Sequence, residues 1–272
     1  MRIALELKGQ KPMATVQIQE VANFWETHPL CASAIPYPLG THEYFRYYDE
    51  LREANESVKF SYRVHEYGNF SGHKVLDVGA GNGYVLSKYA QEGAKVWGVD
   101  ITKTAIDLCS KRFKLFGLKG EFLVANAEEL PFESDSFDCV CSMGVLHHTP
   151  DTAKAVDEIF RVLKSGGRLI VMVYHRNSAL YRVKFPMISL VTGKTTQQLV
   201  NEVDGVGNPK GSVFSKDELH RLLNKFKELD LFPGLLQGWM LFPRGGRLFP
   251  DRWLRKFEKY GGWFLYAKGR KP

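Results

Sequence analysis

Three glycines at alternate positions, Gly79, Gly81 and Gly83, follow an acid, Asp77, in the run Lys74-Val75-Leu76-Asp77-Val78-Gly79-Ala80-Gly81-Asn82-Gly83. A Cβ at such positions would obstruct both a tight turn and a ligand lying flat on the backbone. Where that turn opens a helix, free backbone N–H groups border the ligand site. A second acid, Asp100, ends Lys95-Val96-Trp97-Gly98-Val99-Asp100. A carboxylate there can accept hydrogen bonds from both hydroxyls of a ribose. Asn126 follows Phe122-Leu123-Val124-Ala125, and His147-His148 follow a run from Phe137 to Met143. Imidazole, with an intrinsic pKa near ~6.5, suits proton transfer at neutral pH. The dinucleotide fingerprint G-x-G-x-x-G would need glycine at position 84, where Tyr84 stands, so a nicotinamide dehydrogenase is disfavoured.

These groups need a scaffold that brings them together. Val75 to Val78 reads as a buried parallel strand, followed by a helix from about Tyr84 to Gln91. Further apolar runs at 95–100, 122–125 and 137–143, and one after the turn Ser165-Gly166-Gly167, give five strands alternating with helices. That alternation implies a parallel sheet, whose ligands bind beyond the carboxyl ends of the strands. Asp77, Asp100, Asn126 and His147 all fall at strand ends.

Together these five motifs resemble the class I S-adenosylmethionine-dependent methyltransferases, most closely the small-molecule branch that includes the ubiquinone/menaquinone C-methyltransferases. The resemblance is strong over residues 70 to 175. It implies an α/β fold: a Rossmann-like, seven-stranded, mostly parallel sheet with helices on both faces, plus caps at the N-terminus and after the fifth strand. It implies S-adenosylmethionine as cofactor. Asp77, Gly79 and Gly81 would hold its methionine part, and Asp100 its ribose, with Ile101 on the adenine face. Asn126 and Ala127 would bracket the adenine edge, Met143 would line the sulfonium, and Glu128 would be a local structural partner. Methyl transfer from a sulfonium is an in-line displacement, so the enzyme chiefly positions an acceptor and excludes water. A base is needed only where the acceptor has a proton to lose, and His148 or His147 stands where it would sit. The alternative is that these histidines merely orient the loop.

Four segments follow: an N-terminal helical cap (1–59), a cofactor-binding core (60–175), a substrate-cap insertion (176–214) and a C-terminal part of the same fold (215–272). In the first, Val21, Phe24 and Trp25 have helical spacing, and 44–59 reads as one further helix with Arg46, Asp49, Arg52 and Glu53 on a polar face. Tyr37 and Tyr47 are its pocket candidates, since a buried hydroxyl needs a partner. Tyr174 and Arg176, at the end of the fifth strand, are further acceptor-binding candidates, and an arginine could hold an anionic acceptor. Ser215-Lys216-Asp217-Glu218 is a capping box opening a helix, 228–232 reads as a sixth strand and 262–268 as a seventh, which the resemblance implies runs antiparallel between the fifth and sixth.

The net charge is +7, and residues 244 to 272 carry nine Lys/Arg against Asp251 and Glu258, a difference of +7. So local an excess argues against a broad nucleic-acid-binding face. Within it, 251–260 reads as a helix with Trp253, Leu254, Phe257 and Tyr260 on one face and basic residues on another. Packing on the sheet is the favoured reading, and peripheral contact with an anionic membrane is the other. No apolar run reaches the length of a membrane span, and Met1 to Pro12, with Glu6 inside it, does not read as a signal peptide. Cys31, Cys109, Cys139 and Cys141 show no metal-binding spacing, which suggests no metal and a reducing cytoplasm. The leading expectation is methyl transfer to carbon or oxygen of a small, largely apolar acceptor. A nucleic-acid or protein methyltransferase and a non-catalytic cofactor-binding module are the alternatives.

Overall fold

The computed structural model of the chain describes residues 16–29, 34–241 and 249–272. The segment Met1 to Pro12, Cys31, Arg244 and Arg247 lie outside the described residues. Among those described, eight strands make one sheet: β1 Lys74–Val78, β2 Lys95–Asp100, β3 Glu121–Val124, β4 Phe137–Met143, β5 Leu163–His175, β6 Val213–Phe214, β7 Lys227–Gly234 and β8 Phe264–Arg270. The helices before the sheet are α1 Ile18–Thr27, α2 His42–Asn55 and α3 Val58–His65. Within the alternating core lie α4 Tyr84–Gln91, α5 Lys103–Leu115 and α6 Thr152–Val162. After it come α7 Phe185–Thr192, α8 Thr196–Asn201, α9 Lys216–Leu222, α10 Asp251–Leu254 and α11 Glu258–Gly261.

The strand order is β3-β2-β1-β4-β5-β8-β7, with β8 antiparallel between β5 and β7 and the first five strands parallel. Side chains alternate between faces, so both faces of these strands must be apolar. Val75, Cys139, Cys141 and Ile170 join Phe45, Leu86 and Tyr89 in one core, while Leu76, Val140, Leu169 and Val171 join Val156, Ile159 and Leu223 in the other. A third cluster, Tyr174, Leu180, Tyr181, Phe185, Val200 and Met240, builds the cap after β5.

Where the sequence gives seven strands, the structure adds β6, a two-residue strand that pairs with Tyr174 and His175. It occupies the edge of β5 beyond the last β4 pair, Met143 with Met172. The expected helix over 44–59 is two helices, because Ser57 caps α3 by accepting the Phe60 N–H at 3.3 Å. The helix expected over 251–260 is likewise two short ones, α10 and α11. Around α9 the capping box forms: Ser215 Oγ accepts from Glu218 N at 3.2 Å, and Glu218 Oε2 accepts from Ser215 N at 2.7 Å. Among the described residues no helix is long and apolar enough to cross a membrane.

The helices before the sheet are tied to it through charge. Glu66, at the left-handed end of α3, accepts from Arg168 at 2.7 Å and Lys268 at 2.8 Å. Buried Tyr266 on β8 donates to Glu56 Oε1 at 2.6 Å. Tyr266→Phe strands that buried carboxylate oxygen and is expected to cost about 1–3 kcal/mol in chemical denaturation. A loss under about 0.5 kcal/mol would show that the bond contributes little.

Candidate functional site

The site begins where β1 and β2 end side by side. Gly79 and Ala80 donate their N–H groups to the Val99 carbonyl at 2.7 and 2.9 Å, pinning the glycine turn to the neighbouring strand. Gly79, Gly81 and Gly83 all have positive φ. A Cβ on Gly79 would lie 2.0 Å from Val145 Cγ2, and one on Gly83 would lie 2.6 Å from Cys109 Sγ, so backbone strain and close packing coincide. Gly81 instead faces open space, with nothing within 4 Å of its Cβ position.

Two carboxylates border this turn from the same side. Asp100 Oδ2 accepts from Gly81 N at 3.1 Å, while its Oδ1 accepts from Thr102 N at 3.0 Å and Thr102 Oγ1 at 2.9 Å. Burial raises the Asp100 pKa, and those donors oppose the rise. Asp77 is buried in β1, and its Oδ1 has no hydrogen-bond partner. Burial pushes its pKa up to about 7, the Cys141 thiol and Arg52 pulling against this and nearby Asp100 adding to it. An acid held so high in a buried site calls for a cationic partner.

Arg52 was read as part of a polar face of α2. Arg46 stays exposed but the rest of that face turns inward: Arg52 pairs with Glu56 at 3.3 Å and stacks over the Tyr84 ring at 5.1 Å. Its Nε is buried without a partner. Asp49 on the same face pairs with Arg112, and Glu53 accepts from Lys88 at 2.9 Å.

Around the end of β4 a second cluster forms. His147, Tyr174 and His148 pack ring against ring, with His147 centred 3.9 Å from Tyr174 and 4.1 Å from His148. Neither nitrogen of His147 has a partner, and burial holds its pKa well below the ordinary histidine value. Both nitrogens of His148 are engaged. Its Nδ1 lies 2.5 Å from the Lys210 carbonyl and so donates there, while Nε2 lies 3.3 Å from Asp204 Oδ2. Tyr174 donates to Asp204 Oδ1 at 2.5 Å. Trp25 on α1 meets the His148 ring edge-on at 5.1 Å, closing the cluster from the N-terminal cap.

The remaining candidates are distributed as follows. Ile101 and Met143 are half-buried at the ends of β2 and β4. Asn126 Oδ1 accepts from Glu128 N at 3.0 Å, so the side chain holds its own turn, and Ala127 is buried with Val99 and Leu130. Glu128 accepts from Asp151 N at 2.7 Å. Tyr37 and Tyr47 meet edge-on at 5.8 Å, with Tyr37 exposed. Arg176 is committed to Glu218 and the Val213 carbonyl, both at 2.8 Å, and lines a separate cleft of about 490 Å³ with Tyr181, Arg182 and Val200. Asp204, Trp25 and Arg52 were not singled out from the sequence. Asp204 sits in the turn-rich stretch 201–212 with no motif around it, Trp25 carried only a helical spacing, and Arg52 looked solvated.

Residues 76–171 match the family model described as a methyltransferase domain. Those residues form a class I methyltransferase domain. Its cofactor is S-adenosylmethionine, and the buried unpaired acceptor of Asp77 beside the open backbone of Gly81 suits a cationic, nucleoside-bearing group. The chain is 36% identical over 110 residues to the ubiquinone/menaquinone biosynthesis C-methyltransferase of Cronobacter sakazakii, covering 39% of this chain and 44% of that protein. Over 119 residues it is 33% identical to the ubiquinone biosynthesis O-methyltransferase of Pseudomonas fluorescens, covering 43% and 51%. It thus spans about half the length of the curated relatives it matches. A solved SAM-dependent methyltransferase from Methanosarcina mazei superposes with a TM-score of 0.56 at 24% identity, over 77% of this chain and 96% of that one, a likeness of fold.

The raised Asp77 acid fixes a sign. Its folded pKa of about 7 exceeds the ordinary 3.8, so the folded state binds the proton more tightly. Its contribution to stability is therefore complete below about pH 4 and is lost as pH rises to about 7. Asp77→Asn is expected to flatten that part of the stability–pH profile in urea denaturation. An unchanged profile would contradict the assignment.

Proposed function

We propose that the chain is a methyltransferase acting on carbon or oxygen of a small, largely apolar acceptor. The observation that carries this reading is the pairing of two sites at neighbouring strand ends. One is a buried acidic turn with an unpaired carboxylate oxygen, and the other is a dry cluster of aromatic and imidazole rings. S-adenosylmethionine supplies the methyl group when bound.

On this reading Asp77 takes the ammonium of the cofactor, and Arg52, whose buried Nε lacks a partner, takes its carboxylate. Gly79 and Gly81 lie along the methionine part. Asp100 holds the ribose hydroxyls, Ile101 covers the adenine, Asn126 and Ala127 border its edge, and Met143 lies toward the sulfonium. On the acceptor side, His148 is the candidate base: with Nδ1–H given to the Lys210 carbonyl, Nε2 is the nitrogen that would take an acceptor proton, and Asp204 beside it would stabilise the imidazolium so formed. His147, neutral and stacked, serves as a wall. Tyr174 fixes Asp204, and Trp25 excludes water from the same face. Tyr37 and Tyr47 form an outer rim, while Arg176 secures β6 to α9 rather than holding the acceptor.

A small acceptor is favoured over nucleic acid because the rings around His148 are enclosed by the caps. Fold alone does not settle the reaction, so labelled methyl transfer into extracts fractionated by polarity is the direct test. Label is expected in an apolar small-molecule fraction. Label in macromolecules would overturn the acceptor class, and label nowhere would favour a non-catalytic module. In cofactor titrations Asp100→Ala is expected to abolish binding, whereas His148→Ala leaves affinity within about twofold and slows turnover by about 10²–10⁴-fold. Unchanged affinity in Asp100→Ala would refute the cofactor site.

A further inference from the structure

The edge built by α10 and α11 does not bury the aromatic face that its spacing suggested. Leu254 alone of that face is buried, while Trp253, Phe257 and Tyr260 are 58%, 57% and 70% exposed. Large aromatics so exposed and so close together mark an interaction surface. Arg252, Arg255, Lys256 and Lys259 are exposed among them. Two of these cations sit over aromatic rings: Arg252 lies 6.0 Å from the centre of Trp253 and Lys259 lies 4.8 Å from that of Tyr260. The two acids of the segment do not cancel this charge at the surface. Asp251 Oδ1 accepts from Gly238 N at 3.1 Å, and Glu258 is half-buried.

A second exposed apolar surface lies on α7. Met187, Leu190 and Val191 are 50%, 89% and 88% exposed. Lys184, one residue before α7, donates to the Trp239 carbonyl at 2.9 Å and stacks on the Trp239 ring at 4.8 Å. The end of α11 lies near the segment that leads into α7, since a Cβ at Gly261 would stand 3.5 Å from that of Ala179. Exposed aromatic rings, lysine and arginine beside them and exposed aliphatic side chains form the pattern of an interfacial membrane contact. Single-stranded nucleic acid would use the cations and the rings, but aliphatic side chains give a base nothing to stack on.

We propose that α10, α11 and the exposed side of α7 dock this protein on an anionic lipid bilayer. The aromatic and aliphatic side chains enter the headgroup region, and Arg252, Lys256 and Lys259 face lipid phosphates, while Arg255 donates to the Ala54 carbonyl at 3.1 Å. The proposal is independent of the methyl acceptor, because it needs only the folded surface.

The test is cosedimentation of the full chain with vesicles of phosphatidylcholine alone and with phosphatidylglycerol added, at low and moderate salt. Sedimentation is expected with the anionic vesicles and not the neutral ones, and it should weaken as salt rises. Arg252→Gln and Lys256→Gln are each expected to lower the partition coefficient by about fivefold. The triple variant Trp253→Ser, Phe257→Ser, Tyr260→Ser should lose sedimentation while keeping the thermal midpoint of the parent chain, since these side chains lie outside the core. No sedimentation with anionic vesicles at low salt would overturn the proposal. So would undiminished binding of the folded triple variant, or retention by poly-uridine RNA without retention by vesicles.

Discussion

A carboxylate buried at the tip of a central strand is expensive to ionise, and the glycine turn beside Asp77 is arranged around that expense. Raising the Asp77 pKa from 3.8 to about 7 corresponds to about 4 kcal/mol of disfavoured charge. The surroundings offset this only in part. Cys141 donates a weak thiol hydrogen bond, Arg52 is close enough to help electrostatically, and Asp100 works in the opposite direction. A hydrophobic residue at the same place would suit the apolar strand better, so Asp77 makes sense as an acceptor reserved for a cation. The glycine turn follows from the same need. It brings backbone close to the carboxylates, and Gly81 leaves the space beside them open.

The ring cluster proposed as the acceptor end is buried away from water. His147 and His148 come from the turn after β4, Tyr174 from β5, Trp25 from α1, and Asp204 from the loop after α8. Hydrogen bonds stitch these segments together: Ser212 N donates to the His147 carbonyl at 2.9 Å, and Lys210 Nζ donates to the Pro150 carbonyl at 2.6 Å. The cap therefore completes the cluster, and its removal would expose His148 on the side where Asp204 holds it.

The sheet was legible in the sequence because its signals are local. A parallel strand buried on both faces is a continuous apolar run, and a turn requiring positive φ at Gly79 and Gly83 declares itself as glycine. The bounds of β2 and α4 could be read for that reason. What could not be read depends on distant partners. Asp204 gains its place from Tyr174, thirty residues away in the chain, and from His148, farther still. Arg52 carries no local mark that distinguishes a solvated arginine from one turned toward a glycine loop. The 251–260 segment misled in the opposite way. Its amphipathic spacing suggested packing, yet the chain breaks into two turns and leaves the aromatic side outward, because spacing records a face without saying what covers it.

The central claim, that Asp77 is a buried acid held for a cationic ligand, is tested most directly by counting protons. Titration of the chain with S-adenosylhomocysteine at pH 6 in buffers of different ionisation enthalpy gives the number of protons released on binding. With Asp77 protonated before binding and ionised after it, about one proton should be released by the parent chain, falling to none above about pH 8 and to none at either pH in Asp77→Asn. Binding at pH 6 with no proton release from the parent chain would contradict the account.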